Sequence, residues 1–166
     1  MKQHIRPFFS LYLGSLFIYC PLILLRLTND MDGMWDQDDH VTGAAELRMG
    51  RWFWPILDKL RLNVSLDPLP ALAALALFSC GVLFLLSLMQ VQWKSRREKL
   101  SAWVVGMMIL SAPTLLCQLS YSHMSINDAL SFLFAVLAVW IVERKTDSGR
   151  KLLWILAAGL VIALMM

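Results

Sequence analysis

Five apolar blocks, separated by polar connections, decide what this 166-residue chain can fold into. A helix needs roughly 20 residues to cross a hydrocarbon core of about 30 Å. Four blocks approach or meet that length, giving spans at about 8–27, 68–91, 100–119 and 125–142, and a fifth at 152–166 stops short. With 58% hydrophobic and only 16% charged residues, the chain is too apolar for a soluble domain of this size. The expectation is an all-α, polytopic transmembrane helical bundle with four complete spans and a truncated fifth, forming one membrane domain over 1–166. The fifth block ends without a polar flank, closing basic residue or interfacial aromatic, so the chain reads as the N-terminal portion of a longer domain.

The first block follows Lys2 and Arg6 but is long and runs into Arg26-Leu27-Thr28-Asn29 rather than a small-residue cleavage site, so it reads as a retained span. Cys20, Cys80 and Cys117 all fall inside apolar blocks at no metal-ligand spacing and read as small buried hydrophobes.

Basic residues fix the expected orientation. Lys2 and Arg6, the connection Lys94-Ser95-Arg96-Arg97-Glu98-Lys99, and the connection Glu143 to Lys151 hold ten basic and three acidic residues. The remaining connections hold five basic and nine acidic residues, so the positive-inside rule places the N-terminus in the cytoplasm and loop 28–67 outside. Nucleotide sugars and ATP are cytosolic, so an outward site suits a lipid-carried substrate better. The net charge of +3 gives no ground for a nucleic-acid partner, because topology already accounts for the juxtamembrane basic residues.

The outer loop concentrates the chemistry. Asp30, Asp32, Asp36, Asp38 and Asp39 put five carboxylates in ten residues, whose mutual repulsion calls for a cation, a proton or a substrate, or else marks a solvated acidic loop. Beyond them, Met49, Trp52, Phe53, Ile56, Leu57 and Leu60 recur at helical spacing, and the segment reads as an amphipathic juxtamembrane helix that Pro55 bends or breaks. Arg48 and Arg51 lie on neighbouring helical surface, where two guanidinium forks suit a phosphate; the alternative is pairing with the nearby aspartates or with lipid headgroups. Asp67 reads as the N-cap of the second span, with Pro68 in its first turn.

The short second outer connection brings Tyr121, His123 and Asp128 to the same side. Asp128, at the boundary of the fourth span, is either a functional carboxylate or that helix's N-cap. His40 and His123 show no metal-binding spacing.

Taken in order, a cytoplasmic stub, one span, an aspartate-rich outer loop, Gly50-Arg51-Trp52 and then Asp67-Pro68-Leu69-Pro70 opening the next span resemble one family. The chain is similar, over roughly Arg6 to Val142, to the bacterial and phage glucosyltransferases that modify O-antigen and related envelope polysaccharides, polytopic enzymes of the GT-C class. Tyr121 followed by Asp128 is a weaker echo. The resemblance implies a multi-pass enzyme of the bacterial inner membrane that takes a sugar from a polyprenyl-phosphate donor to a glycan acceptor. It implies an aspartate base, for which Asp32 is favoured and Asp30, Asp38 and Asp39 stay open. Arg48 or Arg51 would face the donor phosphate. A second carboxylate would orient the acceptor hydroxyl or hold a divalent cation, Mg or Mn, since some members of the class use a metal and others do not. The competing expectation is a non-catalytic membrane protein, such as a lipid-linked-sugar flippase or assembly partner, or an inactive fragment.

Overall fold

The computed structural model describes residues 2–24, 68–91, 93–120 and 125–145, with isolated positions 56, 157 and 159. Among the described residues there are five helices and no strands: α1 (Lys2–Leu24), α2 (Leu69–Leu88), α3 (Arg96–Leu110), α4 (Pro113–Ser120) and α5 (Ser125–Lys145). Three of them, over Ile5–Leu24, Leu69–Leu88 and Ser125–Glu143, are long and apolar enough to cross a membrane. The bundle is apolar outside as well as inside: Phe17 is 83% exposed and Met108 69%, with Phe9, Leu13, Leu24 and Val139 also outward. Such a surface suits lipid rather than water.

The third expected span is not one continuous helix. α3 and α4 meet at a 51° bend around Ser111, Ala112 and Pro113, and only together are they long and apolar enough for a crossing. The cause is Pro113, which lacks the N–H that would bond to the Ile109 carbonyl and disfavours helical geometry at Ala112. Ala112 N–H takes the Ile109 carbonyl instead, at 3.2 Å, and Leu115 N–H restarts the ladder on the Ala112 carbonyl at 2.9 Å. The Leu110 carbonyl at the bend accepts the buried hydroxyl of Tyr19 in α1, at 2.7 Å. This cross-helix bond ties the end of α3 to α1 just before the bend. Tyr19→Phe should therefore lower thermal stability in detergent by about 1–2 kcal/mol, because a buried carbonyl loses its donor. An unchanged melting temperature would show that the bend holds without it.

Helix starts also differ from expectation. The cap position of α2 is Pro68 itself, with no side-chain cap, and Leu72 N–H bonds to the Pro68 carbonyl at 3.1 Å. Asp67 lies outside the described residues. At its other end α2 closes with Val91 N–H on the Leu86 carbonyl and Gln90 N–H on the Ser87 carbonyl, which puts Gln90 in the left-handed region at φ 55°. α3 begins with a reciprocal cap. Ser95 Oγ accepts Glu98 N–H at 3.1 Å, and Glu98 Oε2 accepts the N–H of Ser95 and of Lys94, each at 3.0 Å.

Those backbone donors hold the Glu98 carboxyl below its ordinary value, Ser95 first and Lys94 second. A depressed folded pKa means the cap contributes fully above the ordinary carboxylate value and is lost as pH falls through the folded one. Acid titration followed by amide exchange at Lys94 and Ser95 should show protection vanishing only below the usual carboxylate range. Glu98→Gln should remove that pH dependence while keeping the cap's oxygen acceptor.

Close packing relies on glycines. A Cβ on Gly14 would lie 2.8 Å from Met107 Sδ, and one on Gly106 would lie 2.7 Å from Leu11 Cδ2, so α1 and α3 each seat a side chain of the other in a glycine gap. Gly81 of α2 does the same for the Phe132 ring of α5. The core at these crossings comprises Leu11, Leu75, Phe78, Val82, Leu86, Leu110 and Leu119. Cys20 and Cys80 are half-buried and Cys117 is exposed on the outer surface of α4, so the cysteines are free thiols but not uniformly buried.

Candidate functional site

The contacts fix which helix ends lie together. Ser10, Gly14 and Tyr19 of α1 meet Trp103, Met107 and Leu110 of α3 in rising order, so these two helices run parallel. Phe78 meets Phe132 at 5.7 Å between ring centroids and Phe84 meets Trp140 at 5.9 Å, so α2 and α5 also run parallel. Gly106 touches both Leu11 and Leu86, which joins the two pairs in opposite directions. Leu24, Leu69, Ser120 and Ser125 therefore end at one pole of the bundle. Arg6, Lys94, Arg96, Arg97, Glu98 and Lys99 lie toward the other pole.

This arrangement carries the site argument. α1 ends at Leu24 and the described chain resumes at Pro68, both at the pole where α4 ends and α5 begins. The aspartate segment and the Tyr121 to Asp128 connection are thus anchored at one end, opposite the basic connections. Asp30, Asp32, Asp36, Asp38, Asp39, Arg48, Arg51, Tyr121 and His123 themselves lie outside the described residues, as does the expected amphipathic helix except for Ile56, which is helical and exposed. The fifth apolar block is described only at 157 and 159, both helical.

Asp128 is the one expected site residue among those described. It sits in the first turn of α5 rather than at its cap, because the helix already begins at Ser125, and it is half-buried. A carboxylate there is favoured by the helix dipole, by about 0.3–1 kcal/mol. Its neighbour Asn127, which the sequence reading passed over, is 2% exposed, and its Oδ1 has no hydrogen-bond partner among the described residues. The signal available in the sequence was an amide one residue from a carboxylate at the mouth of an apolar span. No group of three or more His, Cys, Asp or Glu placed to hold a metal occurs among the described residues.

A family model described as Glucosyl transferase GtrII matches residues 12–166, a range containing the C-terminal half of α1 and all of α2 to α5. The chain belongs to the GtrII glucosyl transferase family. The resemblance to glucosyltransferases, drawn from the aspartate loop, Gly50-Arg51 and Asp67-Pro68-Leu69-Pro70, is borne out. Comparison with curated proteins and with solved structures returned no match. GtrII membership and the lipid-suited helices agree with a membrane glycosyltransferase that uses a sugar donor and a glycan acceptor.

Proposed function

We propose that this GtrII protein transfers glucose from a polyprenyl-phosphate donor to a cell-envelope glycan, of the O-antigen kind, at the outer face of a bacterial inner membrane. The observation that carries the reading is the segregation of charge between the poles of a GtrII-family bundle: aspartate-bearing connections attach at one, basic connections at the other. Positive charge favours the cytoplasmic side, so the aspartate pole faces out.

At that pole the chemistry assigns three roles. Asp32 accepts the proton of the attacking acceptor hydroxyl as its oxygen bonds to the anomeric carbon, with Asp30, Asp38 and Asp39 as the other carboxylates able to serve. The bond from the anomeric carbon to the phosphate oxygen breaks, and the electron pair leaves on the polyprenyl phosphate. Arg48 and Arg51 offset the charge that gathers there. Asp36, Tyr121, His123 and Asp128 supply further groups for holding the acceptor. A divalent cation, Mg or Mn, held by the remaining carboxylates would add charge stabilisation through oxygen ligands.

Sidedness tests this directly. Right-side-out membrane vesicles loaded with lipid-linked glucose should glucosylate an impermeant acceptor glycan added outside, and inverted vesicles should not. Transfer only in the inverted vesicles would reverse the topology and exclude this reading.

A further inference from the structure

The amide oxygen of Asn127 is buried in the first turn of α5, at the pole where the outer connections attach, and no donor among the described residues reaches it. A buried acceptor without a donor is costly and calls for an explanation. The other orphan, Ser79 Oγ, has a simpler one. It lies within α2, where rotation brings a serine hydroxyl toward a carbonyl of its own helix. An amide oxygen needs an N–H or O–H, and although the first turn of a helix leaves its N–H groups unengaged, none of those described reaches Asn127 Oδ1.

We infer that Asn127 is a sugar-binding residue whose Oδ1 accepts a hydrogen bond from a sugar hydroxyl at the aspartate pole. This rests on the glucosyltransferase reading above. The chemistry narrows the ligand: an ionised phosphate offers only acceptor oxygens and leaves Oδ1 unsatisfied, whereas sugars present several O–H donors. A cation would be drawn first to the adjacent Asp128 carboxylate. The hydroxyl belongs either to the lipid-linked donor or to the acceptor glycan, both of which must come to this pole.

The test uses the full chain in detergent, with Asn127→Leu and Asn127→Ala beside the wild type. Three probes are titrated by thermal shift: synthetic polyprenyl phosphate glucose, polyprenyl phosphate without sugar, and an acceptor oligosaccharide. Without ligand, Asn127→Leu should be as stable as the wild type or more so, since it removes an orphan acceptor. One sugar probe should bind the variants on the order of 10-fold more weakly, with KM for that substrate rising more than kcat falls. Bare polyprenyl phosphate should bind equally well. Whichever sugar probe weakens identifies the source of the hydroxyl. Unchanged binding of both sugar probes would overturn the inference, as would failure of both variants to accumulate, which would make Asn127 structural. If the wild type binds neither sugar probe and transfers no glucose, the glucosyltransferase reading itself fails and takes this inference with it.

Discussion

Asp32→Asn should reduce glucose transfer by about 10²- to 10⁴-fold while the protein accumulates in the membrane at wild-type level, the range expected for loss of a general base. Asparagine preserves shape and the oxygen acceptor but cannot take a proton from the acceptor hydroxyl. The same substitution at Asp30, Asp38 and Asp39 ranks the alternatives, because only the base should produce so large a fall in kcat. A carboxylate that merely orients the acceptor should act mainly through KM. The anchoring of this segment at Leu24 and Pro68 on one pole makes stability a separable readout, since none of these aspartates falls within the helices that form the core. Full transfer by every single Asp→Asn variant would remove the carboxylate mechanism.

Gly81→Leu should destabilise the bundle by about 1–3 kcal/mol, the usual cost of overpacking a filled interior. A Cβ at this position would lie 2.6 Å from Cε1 of the Phe132 ring and 3.6 Å from the Leu133 Cα, so the ring must turn or the helices must separate. The crossing is the most extensive among the described helices, and Phe78, fully buried, stands against the same ring. Between lipid-facing helices, close backbone approach supplies the packing that exclusion from water cannot. Thermal aggregation in detergent reads the loss. Phe132→Ala in the Gly81→Leu background should recover part of it, because the two changes act on one contact and are not additive. A Gly81→Leu variant with an unchanged melting temperature would mean that α2 and α5 do not meet at this glycine.

Much of this architecture was legible in the chain. Uninterrupted apolar length marked the spans that became α1, α2 and α5, and the alternation of basic and acidic connections anticipated which ends lie together. The bend between α3 and α4 was legible in principle from Pro113. Apolar length alone concealed it, because hydropathy does not register a missing N–H. The Tyr19 bond to the Leu110 carbonyl joins residues 91 apart and could not be read from local pattern. The glycine gaps were hidden for the same reason, since a glycine in an apolar block looks like spacing until its neighbour is known. At the site, Asp128 stood out as a charge at a span boundary. Asn127 did not, because an uncharged amide next to a carboxylate draws notice only when burial leaves its oxygen without a donor.

The account rests most heavily on the nature of the donor. Purified full-length protein in proteoliposomes, given an acceptor glycan, should be supplied with radiolabelled glucose either as polyprenyl phosphate glucose or as a nucleotide sugar. Labelled acceptor from the lipid-linked donor, and none from the nucleotide sugar, is the expected result. Transfer from the nucleotide sugar alone would place the reaction on the cytoplasmic side and contradict the assignment of the aspartate pole as the catalytic one.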